Sequence, residues 1–207
     1  MVAHRGAAEF VPERGGLAAL RRAAEGCRGC DLHVGATRVV FGEGPAKARV
    51  MMVGEQPGDR EDLAGHPFVG PAGKLLDRAL EAVGLVRSEI YFTNAVKHFR
   101  FEQRGERRIH QQPTRGEVVA CLPWLTAEVR AVRPELVVCL GAVAAKALLG
   151  PSFSVSERRG EVERATVGDR ECSVLTTVHP SAVLRSDDRE AAFEEFARDL
   201  EAVHAAL

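Results

Sequence analysis

The chain has 207 residues, of which 45% are hydrophobic and 28% charged; that is enough to bury a sizeable core, and the lack of any apolar run long enough to span a bilayer excludes membrane-spanning helices. One soluble α/β domain over residues 1–207 is expected. The formal net charge of −1 argues neither for nor against a nucleic-acid partner, but it hides an uneven distribution. Between residues 97 and 115 six basic side chains stand against Glu102 and Glu106, and from 186 to 207 seven acids stand against Arg189 and Arg198, so a basic patch and an acidic helix are predicted.

Residues 1–16 mix Arg5, Glu9, Glu13 and Arg14 with Pro12 and three glycines. This stretch lacks the apolar core of a secretory signal, and a cytoplasmic protein is expected. Five cysteines in such a chain argue against a disulfide framework and for metal or cluster ligation by some of them. Cys27-Arg28-Gly29-Cys30 comes first. Alone, its CxxC spacing fits either a redox dithiol or half a zinc site. Cys121, in a later helix, supplies a third sulfur. Cys139 in mid-strand and Cys172 at a strand head read as small hydrophobes. His98 is the candidate for a fourth donor, although a histidine by itself is more often a surface or hydrogen-bonded residue.

Short apolar runs at 49–53, 90–96, 136–140 and 173–178 read as buried parallel strands. Helical spacing covers 70–83, 115–132, 142–149 and 187–207, the last with Ala191, Phe193, Phe196 and Leu200 on its apolar side. That alternation predicts a three-layer αβα sandwich around a central parallel four-stranded sheet. Ligands of such folds bind beyond the carboxyl ends of the strands. Gly54-Glu55-Gln56-Pro57-Gly58, Asn94 and His179-Pro180-Ser181 all lie there. The segment Gly105-Glu106-Arg107-Arg108-Ile109-His110 reads as a basic loop carrying one imidazole beside two arginines suited to phosphate. Met51, Met52 and Trp124 read as core.

These motifs together resemble the iron–sulfur uracil-DNA glycosylases. Gly54 to Gly58 matches the first family motif, Pro67-Phe68-Val69-Gly70-Pro71-Ala72-Gly73 and Thr93-Asn94 match further segments, and His179-Pro180-Ser181 matches the second motif. The Arg107-Arg108-Ile109-His110 run is similar to that of the X-type branch, whose members trap themselves covalently on uracil-containing DNA through the loop histidine. That branch usually opens the motif with lysine, where this chain has Glu106. The resemblance implies a [4Fe–4S] cluster on Cys27, Cys30, His98 and Cys121, and uracil-containing DNA, single- or double-stranded, as the partner of a monomer.

The residue types support the same chemistry. A base stacked in a duplex is unreachable, so it must be held extruded or single-stranded in a pocket. Phe68 is a suitable stacking face, Asn94 a suitable amide for the uracil edge, and the turn at Gln56 brings backbone amides close. Cleavage of the N-glycosidic bond leaves negative charge on uracil and positive charge on the sugar, and His179 is the candidate donor to the uracil oxygen. Glu55 either activates water or hydrogen-bonds one nitrogen of His110, leaving the other free to attack the anomeric carbon. Phosphates are expected at the helix start Gly70, Gly73 and Lys74, and at Arg107, Arg108, Ser181 and Arg185. A hydrolytic enzyme that releases an abasic site, or a non-catalytic iron–sulfur DNA-binding or redox module, are the alternative readings.

Overall fold

The computed structural model describes residues 4–207; the first three residues of the N-terminal stretch lie outside it. The strands are β1 (Val50–Gly54), β2 (Ile90–Asn94), β3 (Phe101–Arg104), β4 (Arg107–His110), β5 (Leu136–Leu140), β6 (Val162–Val167) and β7 (Arg170–Thr177). The helices are α1 (Leu17–Ala24), α2 (Leu32–Gly35), α3 (Asp59–Ala64), α4 (Pro71–Ala82), α5 (Arg115–Val132), α6 (Ala142–Leu149), α7 (Val155–Arg158), α8 (Pro180–Leu184) and α9 (Arg189–Ala205). The main sheet has the order β2-β1-β5-β7-β6. Its first four strands are parallel, and every residue of β1, β2 and β5 is buried.

Alternation along β1 sends Met51 and Met52 to opposite faces, as the two-residue period of a strand requires. Met52 packs with Leu76 and Leu80 of α4 and Phe196 and Leu200 of α9. Met51 packs with Leu125 and Val129 of α5 and Ala144 of α6. A third cluster joins α1 to Trp124, Val96, Cys27 and Cys121, and so seats the N-terminal region against α5. The αβα arrangement is as expected; among the described residues no helix is long and apolar enough to cross a membrane.

Two strand pairs differ from expectation. The sheet has five strands, because β6 pairs antiparallel with β7 at its edge. Its sequence, Val-Glu-Arg-Ala-Thr-Val, is exposed or half-buried at all but the last position, so it lacks the continuous apolar run that marks the other strands. The basic loop is in fact an antiparallel hairpin, β3 with β4, pairing Phe101 with His110 and Arg104 with Arg107. Its turn is Gly105-Glu106 with Gly105 at φ +59°, the arrangement of a two-residue turn with glycine first.

Behind the carboxyl end of β2 lies a buried ion pair. Lys97 Nζ donates to Glu128 and also to Thr93 Oγ1 at 2.6 Å and the Asn94 carbonyl at 2.7 Å. Glu128, on α5, further accepts from the Gly42 N–H at 3.0 Å and Tyr91 OH at 2.9 Å. A Cβ at Gly42 would collide with the carboxylate, and the bare glycine is why that backbone can approach it. Neither charge reaches solvent, the side chains being 1% and 0% exposed, so each depends on the other. Glu128→Gln should therefore lower stability by about 3–5 kcal/mol, measured by thermal or denaturant unfolding. Adding Lys97→Met should recover most of the loss, since glutamine still accepts from Gly42 and Tyr91. An unshifted unfolding midpoint in Glu128→Gln would contradict this account of the pair.

Candidate active site

The carboxyl ends of β1, β2 and β7 open onto a cleft of about 570 Å³, lined in part by Gln56, Phe68, Asn94, His110, His179 and Ser181, with Arg185 beside them. Residues from separate stretches of sequence thus meet in one place. Gly54 closes β1 without a side chain, and a Cβ there would collide with Asn94 Oδ1 and lie 2.7 Å from the Phe68 ring. Glycine is the residue that lets the amide and the aromatic ring approach each other. Asn94 is 3% exposed and Phe68 6%, and both line the cleft.

His179 is the N-cap of α8. Its Nδ1 accepts from the Ser181 N–H at 3.2 Å and faces Ser181 Oγ at 2.8 Å. Burial, followed by the positive charge of Arg185, lowers its pKa to about 4. A neutral ring that accepts at Nδ1 carries its proton on Nε2, so His179 is a hydrogen-bond donor at neutral pH. Ser181, expected at a phosphate, is the group that fixes this tautomer.

His110 closes β4 and is half exposed. Its Nε2 lies 2.9 Å from Gln56 Nε2 and 3.6 Å from Glu55 Oε1. The orientation of the Gln56 amide follows from its other partners: Oε1 accepts from the Arg100 N–H at 3.0 Å and Nε2 donates to the Gln111 carbonyl at 2.8 Å. His110 Nε2 must then be the acceptor, with the ring proton on Nδ1. Burial and Arg185 lower the His110 pKa below its ordinary value, so the ring is neutral near pH 7 with a lone pair on Nε2. Of the two roles open to Glu55 from sequence, the hydrogen bond to the imidazole is not formed; at 3.6 Å the carboxylate is a neighbouring charge, and the direct contact belongs to Gln56. Burial raises the Glu55 carboxyl above its usual value, against the opposing effects of Gln112 and Arg185.

The two hairpin arginines expected at phosphates, Arg107 and Arg108, part company. Arg107 is exposed and has no ion-pair partner among the described residues. Arg108 turns inward. Its Nε donates to Asp59 at 2.6 Å and its Nη1 to the fully buried Asp62 at 2.6 Å, while its guanidinium lies 5.5 and 5.1 Å from the Phe99 and Phe101 ring centres. Phe99 in turn packs 5.9 Å from the His110 ring. Arg108 therefore ties the hairpin to α3, a placement that differs from the expected phosphate contact. The start of α4 differs too: the Gly70 N–H donates to Glu61 Oε1 at 2.7 Å, so a carboxylate already occupies that amide. Gly73 is needed because a Cβ would collide with the Phe68 carbonyl. Neither these residues nor Lys74 reaches the cleft wall.

Cys27, Cys30, His98 and Cys121 are buried and line one small void with Gly29 and Lys97. Gly29 is required in the CxxC turn, since a Cβ would lie 2.8 Å from the Ala7 nitrogen. The Lys97 N–H donates to Cys121 Sγ at 3.3 Å and the Trp124 indole N–H to Cys27 Sγ at 3.2 Å. Such donors favour sulfur carrying negative charge. Burial pushes the Cys121 thiol up to about 12 and lowers His98 to about 4, so a ligand-competent neutral imidazole faces thiols that release protons on metal binding. Among the described residues no three donors converge as one metal ion would need. Three thiols and one imidazole around one void are a donor set of the kind that holds an iron–sulfur cluster. Cys139 and Cys172 lie in the sheet core.

Residues 41–201 match the Uracil DNA glycosylase superfamily. The chain is 37% identical to the type-4 uracil-DNA glycosylase of Pyrobaculum aerophilum over 188 residues, covering 89% of this chain and 91% of that protein. It is 39% identical to the type-4 uracil-DNA glycosylase of Archaeoglobus fulgidus over 162 residues, covering 76% and 78%. A type-4 uracil-DNA glycosylase of Thermotoga maritima shares 37% over 165 residues, covering 79% and 81%. A mainly parallel sheet with a cleft at its carboxyl edge and these matches together define the class, and the chain belongs to the uracil DNA glycosylase superfamily.

Sequence reasoning missed the Gln56 side chain, which it treated only as part of a turn, and the Asp59–Asp62 pair that holds Arg108. The signal for the second was present: two acids three residues apart opening a short helix after Gly58. Replacing Arg107 with alanine should flatten the salt dependence of DNA binding by about one unit of slope, whereas Arg108→Ala should leave the slope unchanged and disorder the hairpin. Titration of a fluorescent oligonucleotide at several salt concentrations checks this, and equal slope changes for both variants would contradict the division of roles.

Proposed function

We propose that this protein excises uracil from DNA and captures the resulting sugar on His110. The observation that carries the reading is a pair of neutral histidines lining one cleft in complementary states, His179 donating from Nε2 and His110 holding a lone pair on Nε2. An extruded uracil stacks on Phe68 while Asn94 reads its edge. As the bond between C1′ and the uracil nitrogen breaks, its electron pair stays with uracil, and the His179 N–H stabilises the developing oxyanion. The sugar then carries the positive charge. His110 leaves its contact with the Gln56 amide and bonds to C1′ through its lone pair, and the ring sheds its Nδ1 proton to water or to the uracil anion. Glu55, near but not bonded to the ring, stabilises positive charge on sugar and imidazole.

Cys27, Cys30, His98 and Cys121 are proposed to hold a [4Fe–4S] cluster, which supports the site by cross-linking the CxxC turn, the segment after β2 and α5. The purified protein should be brown with about four irons per chain, and His98→Ala should retain less iron. Stoichiometric zinc without visible absorption in protein prepared anaerobically would overturn this assignment.

Uracil-containing oligonucleotide mixed with the protein and run on a denaturing gel tests the function. A heat-stable conjugate is expected. Alkali-labile DNA without conjugate would instead assign the hydrolytic reaction, with Glu55 activating water, and unchanged DNA would leave only a binding module. His110→Ser should lose the conjugate yet still release uracil, because bond cleavage rests on His179 and Asn94. Capture needs neutral imidazole, so with the His110 pKa lowered its rate should fall on acidification with a midpoint below the ordinary histidine value of about 6.5. A conjugate formed by His110→Ser at the wild-type rate would assign the nucleophile elsewhere.

A further inference from the structure

Phe68 is one of only two non-glycine residues with positive φ among the described residues, at +56°. A left-handed backbone is unfavourable for a bulky side chain and persists only where the surroundings over-determine it. Gly73 leaves room for the Phe68 carbonyl, but room alone does not hold it. Arg87 does. Its Nη2 donates to the Phe68 carbonyl at 3.3 Å and the Pro67 carbonyl at 3.5 Å, and its Nη1 is clamped by Asp77 of α4. Its guanidinium also lies 4.4 Å from the centre of the Phe92 ring, and that ring packs 5.8 Å from Phe68. One planar cation thus fixes both the backbone of Phe68 and the ring next to it.

Arg87 lines a separate hollow with Pro67 and Phe92 and is absent from the wall of the cleft. It has no place in the wall where the base would lie. We propose that Arg87 is a positioning residue for uracil, holding Phe68 in its left-handed conformation so that the ring face meets the extruded base. This rests on the reading of the cleft as a uracil pocket. The fork geometry is essential: a lysine cannot reach Asp77 and the two carbonyls while lying flat on Phe92.

Single-turnover uracil release and inhibition by free uracil test the proposal. Arg87→Ala should slow release by about ten- to a hundredfold and weaken inhibition by uracil, with Arg87→Lys failing to restore either. Affinity for uracil-free oligonucleotide should stay at the wild-type value. In a Phe68→Ala background, adding Arg87→Ala should change release by no more than about twofold, because the two act through one ring. Asp77→Asn, which unclamps the guanidinium without removing it, should give a smaller loss of the same kind and serves if Arg87→Ala does not fold. Release and inhibition at wild-type levels in Arg87→Ala, or an equal loss in both backgrounds, would overturn the proposal while leaving uracil excision intact. Wild-type protein that releases no uracil would instead overturn the functional reading and this inference with it.

Discussion

The side-chain amide of Gln56 joins the end of β1 to both ends of the β3–β4 hairpin, and the candidate site depends on that junction. Arg100 precedes the hairpin and donates to the amide oxygen; Gln111 follows it and accepts from the amide nitrogen. A planar group with one acceptor and one donor edge cannot exchange them without losing both bonds. The amide nitrogen also reaches the Arg100 carbonyl at 3.3 Å, and because it can only donate, its 2.9 Å contact to His110 is set in sense as well as place. One amide therefore fixes where the imidazole lies, which nitrogen carries its proton and how the hairpin closes over the parallel sheet.

Burial and charge complete the arrangement. Two histidines share a cleft, and both are kept neutral by desolvation with Arg185 as a second cause. Their tautomers differ because their partners differ. Ser181 and its backbone N–H take Nδ1 of His179, while Gln56 takes Nε2 of His110. Identical side chains become a donor and an electron-pair holder through local hydrogen bonding alone. Arg108 supports this from behind, since its bonds to Asp59 and Asp62 and its packing on Phe99 and Phe101 keep the hairpin from swinging away.

Much of the frame was legible in the sequence, and the reason is burial. An unbroken apolar run such as Leu136 to Leu140 reads as a buried strand, and the helical spacing of 115–132 coincides with α5. The hairpin and β6 were not legible, since their side chains are mostly exposed and carry no apolar period. The direction of Arg108 was hidden for another reason: in a basic stretch an arginine reads as surface, and its partners lie 49 and 46 residues away. Likewise, the glycines at 70 and 73 announced a helix start, but nothing local revealed that Glu61 takes the Gly70 amide or that Phe68 is left-handed. Residue types at strand ends located the cleft; tautomers and anchors came only from three-dimensional contacts.

The central claim is that the lone pair on His110 Nε2 meets the sugar once uracil departs. Peptide mapping by mass spectrometry after incubation with uracil-containing oligonucleotide and nuclease digestion tests it most directly. The account predicts one modified peptide, with the deoxyribose attached to the imidazole of His110 and free uracil released in equal amount. Attachment at another side chain, or uracil released with every peptide unmodified, would contradict it.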